Sequence, residues 1–393
     1  IAAAGSADGS SLGAGPALVV SMIIAAFACI FSALCYSEFA TMIPVAGGAY
    51  TYTFATLGEF AAWMVGWVLM LEYAIGFIAV ACAWSNHFVQ FLSGFEHVLP
   101  AWLAHPPVWM VNDTFSAAKI IAETPEVHVP TLFGLPICVN LPAIVIVLLT
   151  TMILVKGTKD STKMAGVMVF IKLAVIALFV VAGAFFVRPE NWTPFAPNGA
   201  AGIFAGAFLI FFAYIGFDAL ATAAEECKNP QKDLPIGIIG SLIITTVVYV
   251  SVALVLTGLQ KTAGPVPMAF LKAPMAYCMT MLKMNWAAGL ISIGSLAGLT
   301  SVLLVLEMAA TRILYAMSRD HFISQRFQKL HPKFHTPALL TWTVGILAVV
   351  GILTLNLDVA AELCNYGTFT SFIIVCVAVL ILRKTDPNRP RPF

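Results

Sequence analysis

Nine long apolar runs punctuate this chain, and they leave few folds open to it. They fall near residues 15–36, 60–92, 139–156, 163–187, 202–225, 236–258, 286–316, 337–355 and 364–382. A helix needs about 20 such residues to cross the hydrocarbon core of a bilayer. Inside that core no water satisfies backbone groups, so each crossing segment must bond internally. Only 10% of the 393 residues are charged and 60% are hydrophobic, against roughly 25% charged in soluble domains. The polar surface is too small to cover a water-soluble body. The expected fold is an all-α integral membrane protein with nine spans and no separate soluble domain. The run at 60–92 exceeds what a bilayer needs, so it is expected to tilt or emerge at one face.

Basic residues give the orientation. Fourteen lie on one side: Lys156, Lys159, Lys163, Lys228, Lys232, Arg312, Arg319, Arg326, Lys329, Lys333, Arg383, Lys384, Arg389 and Arg391. The opposite side holds five, Lys119, Arg188, Lys261, Lys272 and Lys283, which makes the C-terminal end cytoplasmic. A net charge of +1 gives no reason to expect nucleic acid as a partner. The seven histidines and eight cysteines contain no CxxC, HExxH or His-rich tract, so neither a metal, a cofactor nor a disulfide framework is expected. No HExxH, GxGD or Gly-x-Ser-x-Gly arrangement lies in a span, which argues against an intramembrane enzyme.

Four charged residues sit deep in the apolar runs: Glu72, Lys172, Asp218 and Glu307. A charge at the bilayer centre is disfavoured by a few kcal/mol or more and marks a functional site by default. The competing reading is a Lys–carboxylate pair that only docks two helices. Lys172 stands apart because burial moves a lysine between charged and neutral forms readily, as a proton carrier requires. The stretch FFAYIGFDALATAAEECKNP, residues 211–230, adds a Tyr, a Gly and an Asp at mid-depth. Gly216 is a poor helix former between bulky aromatics. A break near Tyr214–Gly216 would free carbonyls, which is tolerated at that depth only around a cavity. Discontinuous helices in secondary transporters present such carbonyls to cations and ammonium groups. Close helix packing alone would explain Gly216, but not Asp218 two residues on.

Three stretches resemble the amino acid/polyamine/organocation transporter superfamily, and within it the cationic amino acid transporters. They are CYSEFATMIPVAGGAYTYTFATLGEFAAWMVGW (35–67), NWTPFAP with FFAYIGFDALATAAEECKNPQKDLPIGI (191–238), and TRILYAMSRD (311–320) with LRKTDPNRPRPF at the end. Order and spacing agree over nearly the whole chain. The resemblance implies two inverted five-helix repeats whose first and sixth helices are broken at mid-membrane. The nine runs then correspond to the second through tenth helices. Residues 1–393 are expected to form a single amino acid permease transmembrane domain, a fragment lacking the first helix and the last two.

The same resemblance assigns roles. Phe212, Ala213 and Ile215 match the sixth-helix break, whose carbonyls receive the substrate ammonium, with the Phe212 ring as a gate. Lys172 matches the fifth-helix lysine that replaces sodium in proton-coupled members, and Tyr249 matches a tyrosine near it. Glu72 and Asp218 match acidic positions and join the expected proton-coupling set. Leu306 stands where relatives vary the side-chain pocket. Glu307 is a departure, as is Val68, because relatives carry an uncharged residue at the former and a polar one at the latter. If Glu307 faces the cavity it favours basic amino acids; if it turns away, selectivity rests on size. The implied function is proton-coupled transport of amino acids, cationic ones favoured and small neutral ones such as alanine the rival. A non-transporting amino acid sensor on the same scaffold is the alternative. The expected partners are the amino acid, protons and membrane lipids, with the chain a monomer, multi-pass in a plasma membrane such as the bacterial inner membrane. PVAGGAYTY, 44–52, reads as a tight re-entrant turn with a structural or gating role and Tyr50 and Tyr52 at the interface. The outer loop histidines lack metal-ligand spacing, and Asn112-Asp113-Thr114 and Asn191-Trp192-Thr193 are glycosylation sequons.

Overall fold

A computed structural model describes residues 13–96, 99–112, 129–132, 135–136, 138–222, 224–263, 266–267, 270, 273–355 and 357–393. The expected sequon at Asn112 and the expected loop histidines His97 and His128 fall wholly or partly outside these residues, as do Lys119 and Lys272. The long helices are α1 (Leu18–Met42), α2 (Ala49–Leu57), α3 (Glu59–Ser93), α4 (Leu141–Lys156), α5 (Thr158–Ala184) and α6 (Gly199–Phe211). After a one-turn helix α7 (Ala219–Thr222) come α8 (Pro230–Leu259), α9 (Pro274–Met281), α10 (Asn285–Arg319), α11 (Ala338–Thr354) and α12 (Leu357–Thr385). Among the described residues the one strand pair is Thr131–Leu132 with Leu135–Pro136.

Each of the nine apolar runs contains helix, interrupted in the run at 202–225, and among the described residues seven are long and apolar enough to cross a membrane. The exceptions, α4 and α11, have 16 and 17 residues, or about 24 and 26 Å at ~1.5 Å per residue. The 60–92 run is indeed overlong, at 35 residues in α3. Lys-Asn-Pro before α8 is a start signal rather than a site. Pro230 occupies the first helical position, where its missing N–H costs nothing, and the Asp233 carboxylate accepts the Asn229 N–H at 3.1 Å.

The chain forms two compact units, each assembled from separated stretches. Unit 1 comprises Ile1–Gly48, Ile171–Gly294 and Val375–Phe393; unit 2 comprises Ala49–Phe170 and Ser295–Ile374. In unit 1, α1 packs on α8 and α6, and Ser21 Oγ donates to the Ile203 carbonyl at 2.8 Å. The buried Glu38 carboxylate is clamped by Arg383 and by Arg391. The Asn191 carboxamide donates to the Gly258 carbonyl at 2.7 Å, and Trp192 Nε1 to Thr257 Oγ1 at 3.2 Å. This sequon's nitrogen is therefore spent on holding the C-terminal end of α8.

In unit 2, α3, α4 and α11 pack pairwise, and small residues set the approach, as expected where lipid supplies no hydrophobic drive between helices. Gly66 accommodates Met317, Gly351 accommodates Ile78, and Gly76 lies against Cys364 and Leu306. Residues 44–52 are a turn followed by a helix, with Gly47 and Gly48 at positive φ. Tyr50 and Tyr52 are fully buried rather than interfacial, because they lie on the inward side of α2. Tyr50 donates to Asp320 Oδ2 at 2.8 Å. Burial and that carboxylate push the Tyr50 phenol up, so it stays a donor at neutral pH.

Gly367 gives the sharpest test of this packing. A Cβ there would lie 3.2 Å from both Glu72 Cβ and the Val68 carbonyl and 3.3 Å from the Glu72 N. Two of those atoms are helix backbone and cannot swing aside. Gly367→Val is expected to lower the melting temperature in detergent by several degrees and to cut folded yield. Gly240→Ala, a helical position with open space, should leave both unchanged or slightly improved.

Candidate functional site

The helix that begins at Gly199 stops at Phe211. A 3₁₀ turn, Phe212–Tyr214, follows, then turn residues 215–218 before α7. The expected interruption of 202–225 is present, though its second half is one helical turn and not a half-helix. Gly216 makes the break possible with φ +118°, a region that side chains with a Cβ rarely enter. A Cβ there would meet nothing within 4 Å, so conformation, not space, demands glycine.

The break has its own internal bonding. Gly216 N–H donates to Asp218 Oδ1 at 3.2 Å, and Ala221 N–H to the Asp218 carbonyl at 3.0 Å. Asp218, fully buried, thus caps the turn. The Phe212 carbonyl accepts Ile215 N–H at 3.4 Å, and the Ala213 carbonyl accepts the Tyr249 hydroxyl at 2.8 Å. None of these bonds uses the Ile215 carbonyl. Tyr214 donates to the Met22 carbonyl at 3.1 Å and packs edge-on against Tyr249, ring centroids 5.3 Å apart. The break is therefore fastened on one side to α1 and on another to α8. Just beyond it, the Ala46 N–H donates to Glu225 Oε1 at 3.2 Å, and a Cβ on Gly48 would lie 3.2 Å from Thr222 Cγ2. The Pro-Val-Ala-Gly-Gly turn thus rests on the segment that follows the break, a contact that its spacing in sequence gave no means of finding.

The residues named from sequence divide between the units. Phe212, Ala213, Ile215, Asp218, Tyr249 and Lys172 belong to unit 1; Glu72, Leu306 and Glu307 belong to unit 2. Lys172 sits half-buried near the middle of α5, and among the described residues no carboxylate lies within ion-pair distance of it. A docking ion pair is therefore not its role in this conformation. In unit 2, Glu72 is fully buried on α3 beside α12, where Ser371 Oγ donates to Oε2 at 3.2 Å and Cys364 Sγ to the Glu72 carbonyl at 3.2 Å. Leu306 approaches Gly76 of α3. Glu307, one position on, is fully buried with Oε1 2.6 Å from Thr151 Oγ1 of α4. Among the described residues no group of three or more His, Cys, Asp or Glu side chains could hold a metal.

A sequence model described as amino acid permease matches residues 1–393. The chain belongs to the amino acid permease family. Among its relatives, the branched-chain amino acid permease BcaP of Bacillus subtilis (strain 168) is 43% identical over 380 residues, covering 97% of this chain and 76% of the relative. The methylthioribose transporter of the same organism is 42% identical over 386 residues, covering 98% and 77%. The chloroplastic cationic amino acid transporter 9 of Arabidopsis thaliana is 35% identical over 376 residues, covering 95% and 62%. This permease is a transporter and not an enzyme, a multi-pass protein of the plasma membrane with the all-α architecture of its superfamily.

Two substitutions probe the break. Gly216→Ala forces a Cβ into a backbone region that costs about 1–3 kcal/mol, and is expected to reduce uptake at least severalfold. Tyr249→Phe removes the donor on the Ala213 carbonyl, at about 1–3 kcal/mol if that oxygen stays dry. It should lower thermal stability while leaving Tyr214 packed. Uptake in proteoliposomes and melting in detergent read both.

Proposed function

We propose that this permease moves amino acids by alternating access, driven by protons, and receives the cargo's ammonium at the carbonyls of Phe212, Ala213 and Ile215. The observation that carries this reading is the interruption at 212–218, with a glycine that only the break requires. An ammonium brings three donors; the Phe212 and Ala213 carbonyls, each already accepting one bond, keep a second lone pair for it, and the Ile215 carbonyl takes part in none of the bonds named above. The Phe212 ring stands as the gate beside them. Lys172 supplies the coupling charge: an ammonium with no acidic partner can exchange its proton as its surroundings change. Tyr249 ties the break to α8, and Asp218 holds the turn; both complete the coupling set by keeping the carbonyls in place. Glu72 belongs to that set as a buried acid at the seam of α3 and α12.

For the cargo side chain, selection by size at Leu306 is the favoured reading, and the cargo is an uncharged amino acid. The bond between Glu307 and Thr151 inside unit 2 supports it, because that carboxyl is occupied. A branched-chain permease at 43% identity agrees. Basic amino acids form the second reading, supported by relatives named as cationic amino acid transporters at 32–35% identity. Methylthioribose, from the relative at 42% identity, lacks an ammonium and so tests the carbonyl site itself.

In proteoliposomes with an inward proton gradient, wild type should accumulate labelled leucine or alanine without sodium. Unlabelled arginine and methylthioribose should compete at least tenfold more weakly. Lys172→Ala should abolish accumulation. A sodium requirement, or a variant that concentrates cargo as wild type does, contradicts the coupling assignment. Binding without any accumulation identifies a sensor instead.

A further inference from the structure

The segment between α10 and α11, residues 320–337, carries more positive charge than the fold uses. Its Lys and Arg residues are Arg326, Lys329 and Lys333, with Arg319 just before it, and its one acidic residue is Asp320. Asp320 is already engaged, by the Tyr50 hydroxyl at 2.8 Å and by Arg319 at 3.9 Å. Arg326, Lys329 and Lys333 are exposed, and none is in an ion pair among the described residues. The same holds for Lys156, the last residue of α4. Arg383 and Arg391 in unit 1 differ, because both are spent on Glu38.

Hydrogen bonds hold these cations on a fixed frame. Ser318 Oγ donates to the Ser324 carbonyl at 2.9 Å, and Gln328 Nε2 to the Ser318 carbonyl at 2.6 Å. His331 N–H donates to the Thr336 carbonyl at 2.8 Å, while its Nδ1 accepts the Lys333 and Phe334 N–H groups at 3.2 and 3.3 Å. Thr336 Oγ1 donates to the Val155 carbonyl at 2.8 Å, which sets the segment beside Lys156. Helix length then fixes its depth. The 16 residues of α4 and 17 of α11 are shorter than a hydrocarbon core of about 30 Å requires. A short span is met by a thinner bilayer and by flanking cations that reach to the interface. Both short helices meet this segment, α4 ending at Lys156 and α11 starting at Ala338. Beside Lys329, Leu330 is 46% exposed.

We propose that residues 326–333, together with Lys156, bind anionic phospholipid, whose phosphodiester oxygens meet Lys156, Arg326, Lys329 and Lys333 while Leu330 enters the acyl boundary. The arginine offers a planar fork for two phosphate oxygens, and the lysines offer compact point charges. A cluster of cations next to a span is drawn to an anionic leaflet and falls off within a Debye length of it. A lipid fits better than a soluble phosphate on two grounds. Leu330 gains apolar burial only at a lipid surface, and the two short helices hold the cations close to that surface. The site lies in unit 2 and uses no residue assigned to cargo or coupling, so it stands or falls apart from the transport mechanism.

The test uses the full chain in phosphatidylcholine nanodiscs with trace phosphatidylglycerol or phosphatidylcholine bearing the same acyl photocrosslinker. Adducts on residues 326–339 are mapped by mass spectrometry. One cation near an anionic surface is worth about fivefold in partition, so wild type should label with phosphatidylglycerol at least about fivefold more. Unlabelled phosphatidylglycerol should compete, and inorganic phosphate should not. Lys156→Gln, Arg326→Gln, Lys329→Gln and Lys333→Gln combined should lose the preference, with an unchanged melting temperature in phosphatidylcholine. Lys228→Gln with Lys232→Gln, exposed or half-buried cations of unit 1, should keep it. Equal labelling by the two lipids overturns the proposal, as does a preference that survives in the combined variant. Competition by inorganic phosphate as strong as by phosphatidylglycerol also overturns it, and identifies a soluble-anion site instead. If the combined variant fails to fold, wild type decides through salt. At 1 M, where screening acts within about 3 Å, the preference should collapse, and labelling that salt leaves unchanged contradicts the site.

Discussion

Backbone hydrogen bonding without water is the constraint from which the rest of this structure follows. Across the membrane-spanning runs, every carbonyl must be used by the helix or by a neighbour. The break at 212–218 departs from continuous helix bonding, and the cost is met locally. Asp218 takes the Gly216 N–H, Tyr249 takes the Ala213 carbonyl, and Tyr214 ties the turn to the Met22 carbonyl. Three side chains from the break and α8 thus maintain a backbone conformation that a continuous helix would erase. Of the carbonyls at Phe212, Ala213 and Ile215, the first two accept local bonds and the third accepts none of them.

The same constraint shapes unit 2 differently. There four pairs of polar side chains meet in helix seams. Glu72 faces Ser371, Thr151 faces Glu307, Trp84 donates to Thr300 and Ser85 to Asn140. Glycines let the seams close to backbone contact. One unit is therefore marked by an opened backbone and the other by closed side-chain pairs.

Much of this was legible from the residues. The nine runs follow from length and hydropathy alone, and the break follows from a glycine flanked by Tyr214 and Asp218 at mid-depth. Other features were not. Periodicity could place Glu307 on α10 but not say which neighbour its carboxyl meets, since one position turns the side chain by about 100°. The buried state of Tyr50 and Tyr52 depends on Asp320, 270 residues away. The sequon at Asn191 read as a surface site, yet its amide is used by Gly258, 67 positions on. In each case local sequence set the element and a distant partner set the role.

The central claim, that cargo ammonium is received at the broken helix, is open to direct measurement. Labelling with [1-¹³C]isoleucine and ¹⁵N-glycine marks five Ile–Gly bonds, at residues 75, 215, 236, 239 and 293. Only the bond at Ile215 lies in the break, so the other four are internal controls in the same solid-state NMR spectrum. With saturating leucine or alanine the Ile215 carbonyl resonance should move while the four helical ones stay. Bound amino acid, demonstrated in the same sample, with an unmoved Ile215 carbonyl would contradict the account.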